Sequence, residues 1–244
     1  MQAINWMTLE GHLRGAKPIK LKLNLGESER AYCWRPEEVK AIFEYCQTRP
    51  ELEWLYKVLL TLAHTGLRIS ELVSLRPADI DWELSMLRLT DNSARHLQDD
   101  EARRRLKSGR SRSFPIHPRL IEMLKGHTPT GTYLFSGPRG GRVKADKVRR
   151  ARVQEVLAPR KGQFPRREGE RGFADGRLHS FRHYFCSACS NSNVPERMLM
   201  TWLGHKNSAM ITHYYHLADD KARRMISEVD FLGSADGPSS PEKS

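Results

Sequence analysis

The spacing of apolar positions changes character along the chain. From Pro36 onward, Val39, Ile42, Phe43 and Cys46 recur at i, i+3, i+4 and i+7, which gathers them on one face of an α-helix. Pro36 suits a first helical position, and Glu37 and Glu38 complement the positive end of the helix dipole. A second helix is predicted over about 51–64 with Leu52, Leu55, Leu59 and Leu62 as its stripe, stopped by Gly66 as a left-handed cap. A third starts near Arg68 and ends before Pro77. The pattern then alternates: "SMLRLT" (85–90) reads as a strand, and "RSFPIH" (112–117) pairs with it in a small antiparallel sheet with Pro115 at an edge. The connection between them, "DNSARHLQDDEARRRLKSGRS", is long for a hairpin and has room for a short helix. "TYLFSGPRGGRV" (132–143) predicts a further strand and a Gly-rich turn, followed by a helix to about Leu157. Residues 158–178, rich in Arg, Gly and Pro, read as a basic loop ordered on binding; helices follow near 180–191, 195–203, 207–216 and 219–231. The expected fold is therefore α+β, mostly helical, with a small antiparallel sheet.

Composition narrows the partner. Across 244 residues, 41 Lys and Arg stand against 29 Asp and Glu, a net charge of +12, which favours a polyanion, nucleic acid first. An anionic membrane ranks second, but no apolar run approaches the roughly 20 residues needed to span a bilayer. The start, "MQAINWMTLEGHLRG", lacks the apolar core of a secretory signal, which places the protein in the cytoplasm. Cys33, Cys46, Cys186 and Cys189 are too few for a disulfide scaffold, and "CSAC" (186–189) has no second such pair to complete a zinc site, so these read as small packing residues. Residues 1–33 are expected to be an arm or linker remnant, 34–232 the main domain, and 233–244, "GSADGPSSPEKS", a disordered tail.

Three short stretches carry the chemistry. "HTGLRISEL" (64–72) puts Arg68 just past a Gly-broken helix junction, "HSFRHYF" (179–185) sets His179 and Arg182 three apart on one helix face, and "LGH" (203–205) puts His205 after another Gly cap. Tyr214 and Tyr215 follow in "THYYHL", and helical periodicity does not choose between them. Singly, each residue is equally a capping, surface or core group; the order and spacing of the set are what count. This set resembles the catalytic domain of the tyrosine recombinases, or phage-integrase family, over roughly residues 34–217. The resemblance implies that Arg68, His179, Arg182 and His205 surround one DNA phosphate. It also makes Tyr214, nine residues after His205, the nucleophile. "KSGRSRSFP" (107–115) fits the family pattern K-x-x-x-x-R-x-x-P and makes Lys107 the sixth member, although Arg104, Arg105 and Arg110 crowd the same segment.

The residue types suit the reaction that the resemblance implies. Attack on a phosphodiester builds charge on non-bridging oxygens, which planar guanidiniums such as Arg68 and Arg182 can clamp. A tyrosine with a pKa near 10 needs a base, for which His179 is the candidate, and Lys107 is the candidate acid for the leaving 5′-oxygen. His205 would donate to a non-bridging oxygen or assist the nucleophile, and Glu71, one turn after Arg68, is expected to hold a basic group in place. The family forms a 3′-phosphotyrosyl intermediate without cofactor or metal. Its members act on double-stranded DNA as homo-oligomers, tetramers on paired sites.

Two features depart from the family. Only some thirty residues precede the catalytic pattern, too few for the usual N-terminal clamp domain. That leaves a fragment, a short recombinase or a separately supplied clamp, and weak DNA affinity is expected. "DDKARRMISEVDFL" (219–232) carries Ala222, Met225, Ile226 and Val229 on one stripe, expected to dock on a neighbouring protomer. The rival functions are a type IB topoisomerase-like relaxing enzyme and a catalytically silent DNA-binding accessory protein. A helix-turn-helix reading of 180–203 leaves Arg68, Lys107 and Tyr214 without roles.

Overall fold

A computed structural model of the chain describes residues 32–93, 104–129, 131–166 and 168–204, with Glu10 and His12. The chain divides into two compact units, Met1–Arg30 and Ala31–Ser244, and the architecture below belongs to the second. Helix α1 (Pro36–Gln47) opens with Pro at its first turn and buries Val39, Ile42, Phe43 and Cys46, the stripe read from the sequence. Glu38 is fully buried at its N-terminus, where its carboxylate accepts from the Arg35 amide (2.8 Å) and the Tyr32 hydroxyl (2.7 Å). A 3-10 turn (Pro50–Leu52) leads into α2 (Glu53–Thr65), whose Leu55, Val58, Leu59 and Leu62 are buried.

Gly66 ends α2 at φ 61°, with its amide donating to the Leu62 carbonyl at 3.0 Å. A side chain is excluded there twice over, because a Cβ would also stand 2.6 Å from Phe185 and 2.8 Å from Leu203. This close approach lets the start of α3 (Ile69–Leu72) sit against α7 (Leu178–Asn191) and the end of α8 (Glu196–Leu203).

The sheet has three antiparallel strands, β1 (Ile80–Asp81), β2 (Met86–Leu89) and β3 (Arg112–Pro115), in the order β1-β2-β3. Leu87 faces Phe114 in the register, and both are buried; Pro115 lies on edge strand β3, as its missing N–H requires. Strand β1 was not foreseen, since two residues carry no alternation. The strand expected in 132–143 does not form. Tyr133, Leu134 and Phe135 are buried, but the Leu134 amide donates to the Leu75 carbonyl (2.7 Å) and only Ser136 and Arg142 bridge. The run is apolar because it enters the core as a loop.

Helix α4 (Pro118–Lys125) packs Leu120, Ile121 and Leu124 inward. Helix α5 (Ala145–Ala151) continues into a π-helix (Arg152–Leu157) and a last turn, α6 (Ala158–Arg160), so the expected helix runs past Leu157. The basic segment that follows is anchored rather than open. Phe173 is buried against Phe164, and its carbonyl accepts from the Trp34 indole N–H at 3.0 Å. Gly176 lies so close to Trp34 that a Cβ would fall 2.2 Å from the ring. Cys186 and Cys189 sit in α7 as free thiols that burial pushes up to about 12. The helices expected near 207–216 and 219–231, the short helix inside 94–103 and the tail lie outside the described residues. Among the described residues no helix is long and apolar enough to cross a membrane.

Candidate active site

Arg68 is the N-cap of α3, fixed by the break at Gly66. Its amide donates to Glu71 Oε2 (2.9 Å) and its guanidinium to Glu71 Oε1 (3.2 Å). Glu71 is only 3% exposed and takes a third bond from Arg112 on β3, Nη2 to Oε2 at 2.8 Å. Burial alone would raise the Glu71 carboxyl; the Arg112 and Arg68 guanidiniums outweigh it and hold the group below the usual carboxylate range. Glu71 thus bonds two guanidiniums, those of Arg68 and Arg112. Arg112 also donates from Nε to the Trp202 carbonyl at 2.9 Å, tying the strand to the end of α8.

Arg182, on α7, is buried. It donates from Nη1 to the Gly66 carbonyl (2.6 Å) and from Nη2 to the Leu203 carbonyl (2.9 Å). Arg112 and Arg182 thus satisfy two carbonyls in the last turn of α8, which would otherwise lack intrahelical partners, and place positive charge at the negative end of its dipole. Burial, with Arg68 nearby, pushes the Arg182 pKa down to about 10, so it remains a cation at neutral pH. Two like charges lie close together in a poorly solvated place, and an anion between them would relieve both.

Lys107 stands in a turn closed by the Gly109 amide on the Leu106 carbonyl (2.9 Å). Of the three arginines that crowd it in the sequence, Arg104 is engaged elsewhere. Arg104 is 5% exposed and ion-paired to Asp79 at 2.6 Å, with a further bond to the Ser74 carbonyl. His179 is the second residue of α7 and is exposed, its ring edge-on to His183 with centroids 5.0 Å apart. Arg68, Lys107 and His179, from three separate segments, line one cleft of about 560 Å³. Arg149, Arg152 and Arg177 line it as well. Arg182 lies behind the wall, not in the lining, and His205 and Tyr214 fall outside the described residues. No group of three or more His, Cys, Asp or Glu able to hold a metal occurs among the described residues.

Sequence reasoning missed Arg112, although it is the arginine of the K-x-x-x-x-R-x-x-P pattern. It also missed Arg149 and Arg152, which share a helix face at i, i+3. Arg177, just before His179, carried no periodic signal.

A basic cleft of this kind, walled by a helix junction, a sheet-edge turn and a helix start, suits an anionic ligand. The chain belongs to the phage integrase family, whose pattern it matches over residues 33–221. It is 25% identical over 214 residues to the tyrosine recombinase XerA of Thermococcus onnurineus, covering 82% of this chain and 67% of that one. Its fold matches the Tn1549 transposon integrase in complex with a circular intermediate DNA, at TM-score 0.69 and 18% identity over 93% of this chain and 76% of that one. It also matches a lambda integrase tetramer bound to a Holliday junction, at TM-score 0.58 and 17% identity over 87% of this chain and 56% of that one. The chain spans only 51% and 62% of the length of two other curated relatives that it matches.

Proposed function

We propose that this chain is the catalytic part, residues 34–232, of a site-specific tyrosine recombinase that cuts and rejoins double-stranded DNA through Tyr214. The observation that carries the reading is the convergence of Arg68, Lys107 and His179 on one cleft, backed by the buried charge of Arg182. In this reading the cut phosphate sits against Arg68, and Arg182 adds poorly screened positive charge from behind. His179 takes the phenolic proton as Tyr214 Oη bonds to phosphorus, His205 donates to a non-bridging oxygen, and Lys107 protonates the departing 5′-oxygen. The products are a 3′-phosphotyrosyl bond and a free 5′-hydroxyl. Attack by a second 5′-hydroxyl reverses the step on a new partner without ATP, and no cofactor enters it. Glu71 acts through the two arginines it holds. The chain works in the cytoplasm as a homo-oligomer, a tetramer on paired sites.

Covalent capture tests this. The protein is incubated with nicked DNA spanning the ends of its own genetic element and then denatured. Protein-linked DNA is expected for wild type and Tyr215→Phe but not for Tyr214→Phe. An adduct lost only in Tyr215→Phe moves the nucleophile by one residue. No adduct with any such DNA favours a silent binder, and relaxation of supercoils without sequence preference favours a topoisomerase-like enzyme.

A further inference from the structure

Away from the cleft, an apolar projection stands beside an apolar hollow. Of the four large apolar side chains exposed among the described residues, two, Trp82 and Leu84, share the turn between β1 and β2 with exposed Glu83. The turn is held stiff. Asp81 accepts the Leu84 amide at 3.0 Å and pairs with Arg88, and the Ser85 carbonyl accepts the Ile116 amide at 2.8 Å. Neighbouring apolar groups kept in water by a fixed turn mark a surface for a partner. Glu83 at its tip makes DNA the wrong one.

Ile116 also lines a hollow of about 480 Å³ bounded by the end of α2, the start of α4, α7 and α8. Phe185, Val194 and Trp202 supply more of its apolar wall, and Cys189 lines it as a half-buried free thiol. Its basic groups are His64 and His117, with ring centroids 5.3 Å apart. His64 donates from Nδ1 to the Leu60 carbonyl (2.9 Å). His117 accepts the Arg119 amide at Nδ1 (3.2 Å), which leaves its proton on Nε2 as a donor. Burial holds the His64 pKa below the ordinary imidazole value, and the positive charges of His117 and Arg119 add to that. No carboxylate lines the hollow, so an incoming one would be met by positive charge.

We propose that the hollow takes the β1–β2 turn of a second copy of this chain, with Trp82 and Leu84 against Phe185, Val194 and Trp202, and Glu83 against His64 and His117. The bond from Ile116 to Ser85 sets turn and hollow side by side, so two copies related by a two-fold axis exchange turns reciprocally. Each turn arrives already ordered, which lowers the entropy lost on docking. One tryptophan and one leucine per copy bury less than about 1,200 Å², the size of a transient contact. The hollow shares no residue with the basic cleft. The contact therefore stands or falls apart from the DNA reaction proposed above.

Sedimentation of the full chain without DNA, up to about millimolar concentration, is expected to show a monomer–dimer equilibrium. Trp82→Ala and Glu83→Lys should each weaken it at least about tenfold, as loss of an aromatic anchor or of a charge-assisted hydrogen bond does. Met198→Ala, at an exposed apolar side chain outside the hollow, should leave it unchanged. Adding His117→Asp, which keeps an acceptor to cap α4, should restore dimerisation to Glu83→Lys; a merely misfolded turn would not recover. With oxidised glutathione, Leu84→Cys should give a disulfide-linked dimer through Cys189 of the second copy, lost when Cys189→Ser is added. A chain that stays monomeric, a cross-link that survives Cys189→Ser, or a ladder of longer species overturns the reciprocal contact. Dimerisation that ignores both turn variants but is lost on deleting residues 219–244 overturns it too and gives the contact to that segment.

Discussion

Replacing Glu71 by Gln keeps the shape of the side chain and removes its charge. In the native protein the carboxylate accepts from the Arg68 amide (2.9 Å), the Arg68 guanidinium (3.2 Å) and Arg112 (2.8 Å), with Arg112 and Glu71 side chains 4% and 3% exposed. A glutamine offers one acceptor oxygen in place of two and turns an NH₂ toward a guanidinium. Arg112 is then buried without a counter-charge, and breaking a buried pair from one side costs about 3–5 kcal/mol. Retained packing and one surviving bond put the expectation at about 3 kcal/mol, a fall in Tm of roughly 6–12 °C for a domain of this size. The folded carboxyl titrates below its unfolded value, so the native state binds fewer protons and the stabilisation is present above about pH 4.3. It is lost as pH falls through the folded pKa. The gap between wild type and Glu71→Gln in urea unfolding should therefore be full at pH 7 and shrink on acidification. In an Arg112→Met background the same substitution should cost less, because the stranded charge is gone. A cost below about 1 kcal/mol at pH 7, or a gap that does not narrow in acid, would refute the claim that charge pairing rather than packing holds this junction.

Three other outcomes follow from the same structure. Gly176→Ala forces the Trp34 ring aside from a 2.2 Å approach; about 1–3 kcal/mol of destabilisation and a changed indole fluorescence are expected, with slower DNA cleavage because the loop leads into His179. Arg182→Lys cannot span the Gly66 and Leu203 carbonyls as a planar guanidinium does, so unfolding should come at lower urea while cleavage falls by at least about tenfold; an equally stable, equally active variant contradicts this. Deleting residues 219–244 should impair assembly on paired sites, read by gel mobility, while sparing single-strand cleavage; unchanged synapsis would argue that the segment packs on its own domain.

The helices were legible where apolar spacing and caps agreed. The stripe of α1 and the left-handed Gly66 both follow from local chemistry, as does Pro115 at the sheet edge. Tertiary choices were not legible. Tyr133, Leu134 and Phe135 carry a strand's composition, yet they serve as a buried loop because Leu75 supplies the hydrogen-bond partner. Nothing in "ARVQEVL" marks a π-helix, since one wide turn leaves no period. At the site, short motifs located Arg68, His179 and Lys107 because each sits at an element boundary that its neighbours define. Arg112 stood in the K-x-x-x-x-R-x-x-P spacing without a role, and Arg152 had no spacing to mark it; burial distinguishes both from other arginines, and burial belongs to the whole fold.

The arginine behind the cleft differs from the residues in front in how it would age under mutation. Arg182 joins the ends of α2 and α8 as well as charging the site, so selection for folding alone would preserve it. Lys107 and His179 are exposed, so the fold depends on them less than on the buried arginine. On the proposed function, a descendant that gave up cutting DNA but kept binding it would shed the lysine and the histidine first and retain the arginine for long afterwards. Among decayed copies of such genes, that reading makes the exposed pair, rather than the buried arginine, the mark of those that still work.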